Sequence, residues 1–283
     1  MEKEKNDLKI GFVGQGWIGK NYADDFEMRG YKIVRYSLDA EFKDNKDKIK
    51  NCDFVVIAVP TPTTPEGFDY SAVEEALMLV GSKKIAVIKS TVLPGTTIEL
   101  QKKFGDIYIL FSPEFLSTAT AAFDASHPNR NVVGVPIEDA EYEERAKFVM
   151  MHLPQAQYEK ICSSTEAEMI KYVRNCIGYS RILMANIFFD LSISLGANYE
   201  VIKEAVGADP DFGPTYTSAV HKTGRGAGGL CFIKDFAALR KFYEETVLDP
   251  KGVDMLKAIE SKNIELLKNS NKDLDLLQSV YGN

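Results

Sequence analysis

Short apolar runs alternate with helical stretches from the N-terminus to residue 163. Seven runs carry the pattern: LKIGFVG, YKIVRYS, FVVIAVP, KIAVIKS, IYILFS, NVVGV and YEKICSS. Because these runs are continuous rather than strictly alternating, we expect strands that are buried on both faces of a parallel sheet. The pattern therefore predicts an α/β fold whose first domain, residues 1–163, is a doubly wound parallel sheet.

After residue 163 the pattern becomes helical only. The segment SSTEAEMIKYVRNCIGYSRILMANIFFDLSISLG begins with two overlapping capping boxes and ends at a glycine: Ser163 with Glu166, Thr165 with Glu168, and Gly196. A helix of about thirty residues is roughly 45 Å long. Shorter helices are predicted around residues 199–206, 235–246 and 253–268. We therefore expect residues 164–283 to form an all-helical domain with one long central helix.

The apolar residues of this long helix occur nearly all round it, so the helix must be buried on most sides. A chain of 283 residues offers few other segments to cover it. We therefore expect a homodimer that forms through the long helix, residues 164–196.

Composition and charge narrow the range of partners. The chain has 45% hydrophobic and 27% charged residues, as ordinary globular proteins do. Its net charge is −7 and its basic residues are scattered among acidic ones, which argues against a nucleic-acid partner. The N-terminus MEKEKNDLKI is charged where a signal peptide is apolar, and no apolar run approaches the roughly 20 residues of a membrane span. We expect a cytoplasmic protein without membrane contact.

The four cysteines are widely spaced along the chain, at Cys52, Cys162, Cys176 and Cys231. They form no CxxC pair and have no neighbouring histidine, so we expect reduced thiols and no metal site.

A glycine-rich turn follows the first predicted strand. Gly14, Gly16 and Gly19 have the G-x-G-x-x-G spacing of a dinucleotide fingerprint, directly after a strand and opening a helix. The first glycine makes the tight turn, the second lets the backbone approach a pyrophosphate, and the third lets helix and strand pack closely. The helix N-terminus then faces the phosphate charge. The turn predicts a Rossmann-type domain that binds NAD or NADP.

The end of the second strand decides between these two cofactors. An acidic residue there binds the ribose hydroxyls of NAD, and in this chain Ser37 holds the place, with Asp39 the nearest acid. No arginine follows Ser37, as a 2′-phosphate would favour. NAD is mildly preferred and NADP is not excluded.

Prolines and threonines come where later strands end at the carboxyl edge of the sheet, which is the ligand-binding edge of open α/β folds. Pro60 and Thr61 follow one strand, and Thr91 follows the next. From its spacing alone, Thr91 is equally well explained as a cleft residue or as a turn cap.

Lys171 and Asn175 are four residues apart on the long helix and share one face. Buried, they need polar partners such as a substrate oxyanion; otherwise the lysine extends to solvent along the helix surface. Both interpretations stay open at this point.

The segment GAGGLCFIKD, residues 226–235, carries the third candidate site. Its glycines let a backbone approach closely, and Cys231 lies just before a predicted helix start, where the helix dipole lowers a thiol pKa. Lys234 adds positive charge, and Asp235 can cap the helix or act as a base. A flexible loop with an inert cysteine is the competing interpretation.

Six motifs in order resemble the nucleotide-sugar 6-dehydrogenases, the group of UDP-glucose and UDP-N-acetylmannosamine dehydrogenases. They are GFVGQGWIG, AVPTP, KSTVLPGTT, SPEFL, AEMIKYVRN and GGLCFIKD, and the resemblance as a whole runs from about residue 8 to about residue 263. The resemblance implies a sugar or sugar-nucleotide substrate. The expected cofactor contacts are Gly14, Gly16, Trp17, Ile18, Gly19, Ser37, Asp39, Pro60, Thr61, Thr91 and Lys234.

The resemblance also implies a four-electron oxidation of a primary alcohol to a carboxylate with two NAD molecules in turn. The thiolate of Cys231 adds to the intermediate aldehyde as a thiohemiacetal, the second hydride transfer leaves a thioester, and water releases the acid. Lys171 and Asn175 stabilise the oxyanion and Asp235 assists proton transfer. Thr91 and Glu114 place the water.

Three departures from the family pattern stand out. After PEFL the family continues with arginine and a second glutamate, where this chain has Ser117 and Thr118. In DPDFG, Asp211 replaces an arginine that contacts the sugar nucleotide, so the usual diphosphate should bind less well there. The family's C-terminal domain, which holds the nucleotide, has no counterpart in this sequence. Three explanations are open: the sequence is truncated, another chain supplies the domain, or the substrate is different.

Two alternatives of other kinds remain. One is a two-electron β-hydroxyacid dehydrogenase. That related group also combines a Rossmann domain with a long helix carrying lysine and asparagine. Cys231 argues against this alternative, because a two-electron oxidation needs no thioester. The other is a catalytically inactive cofactor-binding protein with a regulatory or assembly role, which the three departures favour and the retained Cys231, Lys171, Asn175 and Asp235 oppose.

Overall fold

The computed structural model describes residues 7–282, which divide into two compact units. The first comprises the chain up to Thr61 together with Asp69–Lys171, and the second comprises Pro62–Phe68 together with the chain from Tyr172 onward. The division therefore lies within the long helix rather than before it.

The strands are β1 (Lys9–Val13), β2 (Lys32–Tyr36), β3 (Phe54–Ile57), β4 (Thr63–Thr64), β5 (Gly67–Phe68), β6 (Ile85–Ile88), β7 (Tyr108–Phe111), β8 (Arg130–Val135), β9 (Tyr158–Ser163), β10 (Val220–His221) and β11 (Gly224–Arg225). The helices are α1 (Trp17–Met28), α2 (Ser71–Leu77), α3 (Thr96–Lys103), α4 (Ala121–Ser126), α5 (Ala140–His152), α6 (Ser164–Ser194), α7 (Tyr199–Gly207), α8 (Leu230–Thr246), α9 (Pro250–Asn269) and α10 (Leu274–Tyr281). A 3₁₀ helix spans Lys43–Asn51.

The first unit is built on a seven-stranded sheet in the order β2-β1-β3-β6-β7-β8-β9. All seven predicted strands are present in it. Each residue of the central strands β3 and β6 is buried, as their continuous apolar sequences predict. The edge strands β2 and β9 are only partly buried, because one side of an edge strand has no neighbour. The result is a Rossmann-type α/β unit.

One strand pair differs from the all-parallel prediction. β8 pairs with β7 in the antiparallel direction, whereas β9 is parallel to β8. The connection from β7 to β8 contains only the six-residue helix α4, and an antiparallel partner does not need the longer crossover that a parallel one requires. The thirteen-residue helix α5 supplies such a crossover between β8 and β9.

Helix α6 begins and ends as its sequence predicts. The Ser163 amide donates to Glu166 Oε2 at 2.9 Å and the Glu166 amide donates to Ser163 Oγ at 3.3 Å, which is a reciprocal capping box. At the other end Gly196 has φ +69°, and the Ala197 amide donates to the Ser192 carbonyl in a Schellman arrangement.

The second predicted capping box does not explain the position of Glu168. Its carboxylate is fully buried and accepts hydrogen bonds from the amides of Gly95 and Thr97, at 2.6 and 2.9 Å, and from Thr97 Oγ1 at 2.5 Å. Glu168 therefore caps the N-terminus of α3 rather than that of its own helix. Burial outweighs these hydrogen bonds and raises the pKa of Glu168 to about 7.

The second unit packs α8, α9 and α10 around Ile233, Ala237, Leu267, Leu277 and Val280. Two expectations need correction here. The eighth helix begins at Leu230 rather than near residue 235, since Gly229, with φ +83°, makes the turn into it. The last helix, α10, was not predicted, because a short polar turn separates it from α9.

The apolar sequence of α6 raises the question of a membrane. By length and composition alone this helix could cross one, with a mean hydropathy of 1.3 in its most apolar 18-residue window. Within that window 39% of the residues are buried inside the protein. The core helices of soluble proteins meet the same criterion.

The buried carboxylate of Glu168 predicts a pH-dependent stability. Its folded pKa, about 7, exceeds its ordinary value of 4.5. The stabilisation from proton binding is therefore complete below pH 4.5 and is lost as the pH rises through 7. Relative to Glu168→Gln, which stays neutral, the wild-type free energy of unfolding should fall by up to about 3 kcal/mol over this range. Urea unfolding at pH 5 and pH 7.5 measures the difference, and parallel pH profiles would contradict it.

Candidate active site

The turn between β1 and α1 has the backbone geometry that its glycines predict. Gly14 has φ +91°, and a Cβ atom there would lie 2.2 Å from the Ala58 carbonyl oxygen. A Cβ at Gly19 would lie 1.9 Å from the Gly14 carbonyl oxygen. A Cβ at Gly16 would meet no atom of residues 7–282 within 4 Å. Packing thus requires the first and third glycines, whereas the second leaves open space above the turn.

This turn lies where a dinucleotide pyrophosphate binds in Rossmann folds. β1 has β2 on one side and β3 on the other, so the chain reverses direction across the sheet at this point. The first turn of α1 carries no acidic residue, and no side chain caps it. Its N-terminal amides are therefore suited to an anion. Trp17 is exposed, while Ile18 packs against the core, so only the backbone of Ile18 can contribute to this site.

The end of β2 favours an unphosphorylated ribose. Ser37 Oγ donates to Asp39 Oδ2 at 2.8 Å, so the Asp39 carboxylate lies next to Ser37; the contact of either residue with a ribose stays a prediction. Arg35, the nearest cation on this strand, forms ion pairs with Asp24 at 2.7 Å and with Glu27 at 2.8 Å. A 2′-phosphate placed here would be repelled by the Asp39 carboxylate. Arg35 of β2 would not offset this repulsion, because it is already paired with two carboxylates.

Hydrogen bonds connect the loops that follow β3 and β6. Thr61 Oγ1 donates to the Thr91 carbonyl at 2.7 Å, and Ser90 Oγ bonds both the amide and the carbonyl of Val59, at 2.9 and 2.7 Å. Pro60 is exposed, whereas Thr61 and Thr91 are buried. The carboxyl edge of the sheet is therefore a fixed surface, although the role of Thr91 toward a substrate stays a prediction.

Glu114 and Lys171 form a buried ion pair in the first unit. Lys171 Nζ donates to Glu114 Oε1 at 2.5 Å and to the Glu114 carbonyl at 2.8 Å. The second carboxylate oxygen, Oε2, accepts from the Leu116 amide at 2.8 Å. Both side chains are about 95% buried, so Lys171 does not extend to solvent. Of the two interpretations of Lys171, the structure supports the buried and partnered one.

A third charged residue, Lys89, belongs to this cluster and was missed in the sequence. Its ammonium is buried, lies 4.3 Å from the centre of the Tyr22 ring, and donates to Ser112 Oγ at 3.1 Å. Burial lowers the pKa of Lys89 to about 8; Glu114 opposes this shift and Lys171 adds to it. The available signal was a lysine that directly follows four apolar strand residues, since charge at that point needs a buried partner.

Asn175, Asp235 and Lys234 form a second cluster, in the second unit. Asn175 Nδ2 donates to Asp235 Oδ2 at 2.7 Å, and Lys234 Nζ donates to Asp235 Oδ1 at 2.6 Å. The Lys234 carbonyl accepts from Thr63 Oγ1 at 3.1 Å. Asp235 is buried in the second turn of α8, so it does not cap the helix as one expectation had it. The contact of Lys234 with a cofactor stays a prediction, since its ammonium binds Asp235.

Cys231 lies inside the first turn of α8 rather than before the helix, because α8 begins at Leu230. It is the one exposed cysteine of the four, and none of them forms a disulfide in the described part of the chain. Phe236, on the same helix, stacks on Tyr179 of α6 with ring centres 4.1 Å apart. This contact and the Asn175–Asp235 hydrogen bond hold α8 against the second-unit part of α6.

Comparison with known proteins identifies the family. Residues 36–153 match the NAD-binding domain of the UDP-glucose/GDP-mannose dehydrogenase family, and residues 165–264 match its central domain. The UDP-glucose 6-dehydrogenase of Streptococcus pneumoniae is 32% identical over 277 residues, which cover 84% of this chain and 69% of that protein. The chain belongs to the UDP-glucose/GDP-mannose dehydrogenase family.

Other members of the UDP-glucose/GDP-mannose dehydrogenase family show the same relation. UDP-glucose 6-dehydrogenase AglM of Haloferax volcanii is 28% identical over 282 residues and 82% of this chain. The solved UDP-glucose dehydrogenase of Pyrobaculum islandicum superposes with a TM-score of 0.80 at 25% identity, covering 98% of this chain and 72% of that one. The chain spans about half to two thirds of the length of the curated relatives it matches first.

The two segments that the sequence analysis singled out as departures lie in exposed turns. Ser117 and Thr118 precede α4, where the Ser117 amide donates to Asp124 at 2.8 Å. The turn with Asp211 is held by Arg181, whose Nη2 donates to the carbonyls of Phe212 and Gly213 at 2.5 and 2.9 Å. Each turn is thus held by hydrogen bonds within its own unit.

Because a side chain at Gly16 would meet open space, we predict that a substitution there changes the affinity for NAD without changing the stability of the fold. Gly16 occupies the N-cap position of α1, where serine is a favourable residue. Gly16→Ser should therefore keep the melting temperature but weaken NAD binding by about tenfold or more, since the hydroxyl occupies the approach and accepts from the amides that a pyrophosphate needs. Titration calorimetry with NAD measures the effect.

Gly105 provides a matched control for this substitution. A Cβ there also meets nothing within 4 Å, but Gly105 lies in the turn between α3 and β7. Gly105→Ser should bind NAD as the wild type does. Equal NAD affinity of both variants and the wild type would contradict the assignment of the pyrophosphate site.

Proposed function

We propose that this protein oxidises the primary alcohol of a nucleotide sugar to a carboxylate with NAD, through a covalent intermediate on Cys231. The observation that carries the proposal is the position of Cys231: its exposed thiol lies in the first turn of α8, four residues before the buried carboxylate of Asp235, which bonds Asn175 and Lys234. A thiol at a helix N-terminus is placed for nucleophilic attack. Membership of the family supports this assignment.

The first unit has the residues to hold NAD. Gly14 and Gly19 shape the turn, Gly16 leaves room for a pyrophosphate, and Asp39 is placed for the ribose hydroxyls. NAD, when bound, accepts a hydride from carbon. The protein contributes the orientation of the cofactor and the groups that move protons.

Glu114 and Lys171 supply charge for the oxygen chemistry of the reaction. A lysine ammonium held by a carboxylate stabilises an alkoxide as it forms and can return the proton to a neighbouring oxygen. The carboxylate, with a backbone amide on its other oxygen, is suited to orient a water molecule. We assign these two roles to the pair in this proposal.

Cys231 forms the covalent intermediate in this scheme. Its sulfur adds to the aldehyde carbon, the aldehyde oxygen takes a proton, and a thiohemiacetal results. Loss of a hydride from that carbon and of the hydroxyl proton leaves a thioester. Water then adds to the thioester carbon, the acid leaves and the thiol is restored. Asp235, with Asn175 holding one of its oxygens, is assigned the proton transfers of these steps.

The substrate class rests on the names of the relatives, which are UDP-glucose dehydrogenases. Asp211 bears on the choice among nucleotide sugars, since a carboxylate near a diphosphate disfavours it by Coulomb repulsion. We therefore propose a nucleotide-sugar substrate that does not rely on a cation at position 211 for its phosphates.

Reaction stoichiometry tests the proposal. Purified protein should form two NADH per acid with one of UDP-glucose, UDP-N-acetylmannosamine or GDP-mannose, because both hydride transfers occur before the acid is released. Cys231→Ser should lower acid formation at least about a hundredfold, or ~2.7 kcal/mol. Absorbance at the NADH band and mass spectrometry of the sugar product give the ratio.

Cys162→Ser, at a half-buried cysteine of the edge strand β9, is the matched control and should turn over as the wild type does. One NADH per product would support a two-electron hydroxyacid-type oxidation. Saturable NAD binding without turnover would support a regulatory protein. Full activity of Cys231→Ser would contradict the covalent mechanism.

We also propose that the protein is a homodimer that forms through α6. The second-unit part of this helix, with the residue that directly follows its last turn, exposes a stripe of apolar side chains at Ile177, Met184, Phe188, Leu191 and Leu195. Their spacings of seven, four, three and four residues place them on one face, as in the seam of a helix pair. An apolar stripe of this length favours burial against a second copy.

Sedimentation velocity tests this interface. The wild type should sediment as a dimer, and Ile177→Glu as a monomer, because a charge at the seam is not compensated after burial. Ile193, equally exposed but on the opposite side of the helix, provides the control: Ile193→Glu should remain a dimer. A monomeric wild type, or its flotation with phosphatidylcholine vesicles, would contradict the proposal.

A further inference from the structure

The backbone of the glycine-rich loop before Cys231, residues 224–229, is hydrogen-bonded by four side chains from a later part of the chain. They come from the last turns of α9 and the turn that follows it, and we call them the loop clamp: Asn263, Ser270, Lys272 and Asp273. All of them and the loop itself belong to the second unit. The sequence gives no sign of this contact, because 36 to 48 residues separate the partners.

Asn263 holds the middle of the loop. Its Oδ1 accepts from the Ala227 amide at 2.7 Å and its Nδ2 donates to the Ala227 carbonyl at 3.0 Å. Both residues are essentially fully buried. One side-chain amide therefore satisfies both backbone groups of a residue that has no access to water, and loss of either hydrogen bond leaves a buried polar group unpaired.

Lys272 and Asp273 hold the two ends. The buried ammonium of Lys272 donates to the carbonyls of Gly226 and Gly224, at 2.9 and 3.4 Å. Asp273 Oδ2 accepts from the Gly229 amide at 2.7 Å. Asp273 does so with φ +54°, a left-handed backbone conformation that a non-glycine residue adopts at a cost.

The loop backbone lies directly against these side chains. A Cβ at Gly228 would lie 2.2 Å from Asp273 Oδ2, and a Cβ at Gly224 would lie 2.4 Å from Ser270 Cβ. The Arg225 amide donates to Ser270 Oγ at 3.0 Å. A side chain at either of these two loop glycines would therefore collide with the clamp residues.

The contact at Gly229 fixes the start of the cysteine helix. Gly229 is the N-cap residue of α8, and its carbonyl accepts the first helical hydrogen bond, from Ile233 at 3.3 Å. Cys231 lies two residues after it. The direction in which the first turn leaves Gly229 therefore determines where the thiol points.

We propose that Asn263, Lys272 and Asp273 are positioning residues for the reaction at Cys231: they act through the loop on the orientation of the thiol and contact no substrate themselves. This inference rests on the proposed function, in which Cys231 is the nucleophile. Catalytic geometry tolerates little displacement, since a shift of about 1 Å can cost a factor of about a hundred in rate.

Three variants and one control test the proposal in the full chain. Lys272→Met removes the donor to two carbonyls, and Asp273→Ala removes the acceptor for Gly229. Asp273→Asn keeps that acceptor and tolerates the left-handed backbone, so it should restore the wild-type behaviour. Lys268→Met makes the same chemical change as Lys272→Met at an exposed position of α9.

The readouts separate positioning from folding. In Lys272→Met and Asp273→Ala we expect kcat to fall about tenfold or more, as the loss of a charged hydrogen bond implies. The dissociation constant for NAD should stay within about twofold, because the glycine-rich turn at Gly14 and the Asp39 carboxylate lie in the other unit. The rate at which iodoacetamide alkylates Cys231 and the hydrogen exchange of the Ala227 and Gly229 amides should change in the same variants. Asp273→Asn and Lys268→Met should match the wild type.

Two results would overturn the inference. One is an unchanged kcat in Lys272→Met and Asp273→Ala despite faster amide exchange, since the clamp would then be structural only. The other is unchanged exchange and alkylation in both variants. Failure of the proposed function is seen separately, as full activity of Cys231→Ser in the otherwise wild-type chain, and the alkylation data remain interpretable in that case.

Discussion

Burial of ionised and polar side chains is the constraint on which this structure depends. An unpaired charge inside a protein costs several kcal/mol, so each one must find a partner of opposite charge or a set of hydrogen bonds. Helix α6 carries two buried ionisable residues and one buried amide, Glu168, Lys171 and Asn175, at spacings of three and four. They share a face, and each is satisfied by a residue far away in sequence: a helix N-terminus, a carboxylate after β7, and a carboxylate in α8. The sequence of α6 therefore specifies its neighbours as well as its own length.

The cluster of Glu114, Lys171 and Lys89 contains more buried positive charge than negative charge. Two buried ammonium groups, those of Lys89 and Lys171, stand against the single carboxylate of Glu114. Such an excess of positive charge favours an incoming negative charge over a neutral group. An alcohol that must pass through an alkoxide on its way to an aldehyde meets this requirement. The excess positive charge thus lowers the stability of the folded protein, and it would stabilise the alkoxide in an oxidation of the proposed kind.

Local sequence patterns predicted the local structure well. The seven strands, the glycine-rich turn at Gly14 and both ends of α6 follow from periodicity, capping residues and backbone conformations that few residue types adopt. What they did not predict depends on distant contacts. Lys89 looked like the end of a strand, Glu168 looked like a second capping residue, and nothing in the segment around Lys272 indicated that it supports a loop nearly fifty residues earlier. The antiparallel direction of β8 is likewise a property of chain routing rather than of the strand's own sequence.

The ion pairs of Arg35 have a consequence for cofactor exchange. With Asp24 and Glu27 both on its guanidinium, this arginine could bind a phosphate on the ribose only by giving up its ion pairs with two carboxylates of α1, of which Asp24 would keep Lys20 as a partner. A protein engineer who replaced Asp39 alone would remove one repulsion and still leave the only nearby cation on β2 committed elsewhere. Discrimination between the two nicotinamide dinucleotides is therefore shared between strand and helix, and reversing it would require coordinated changes in both.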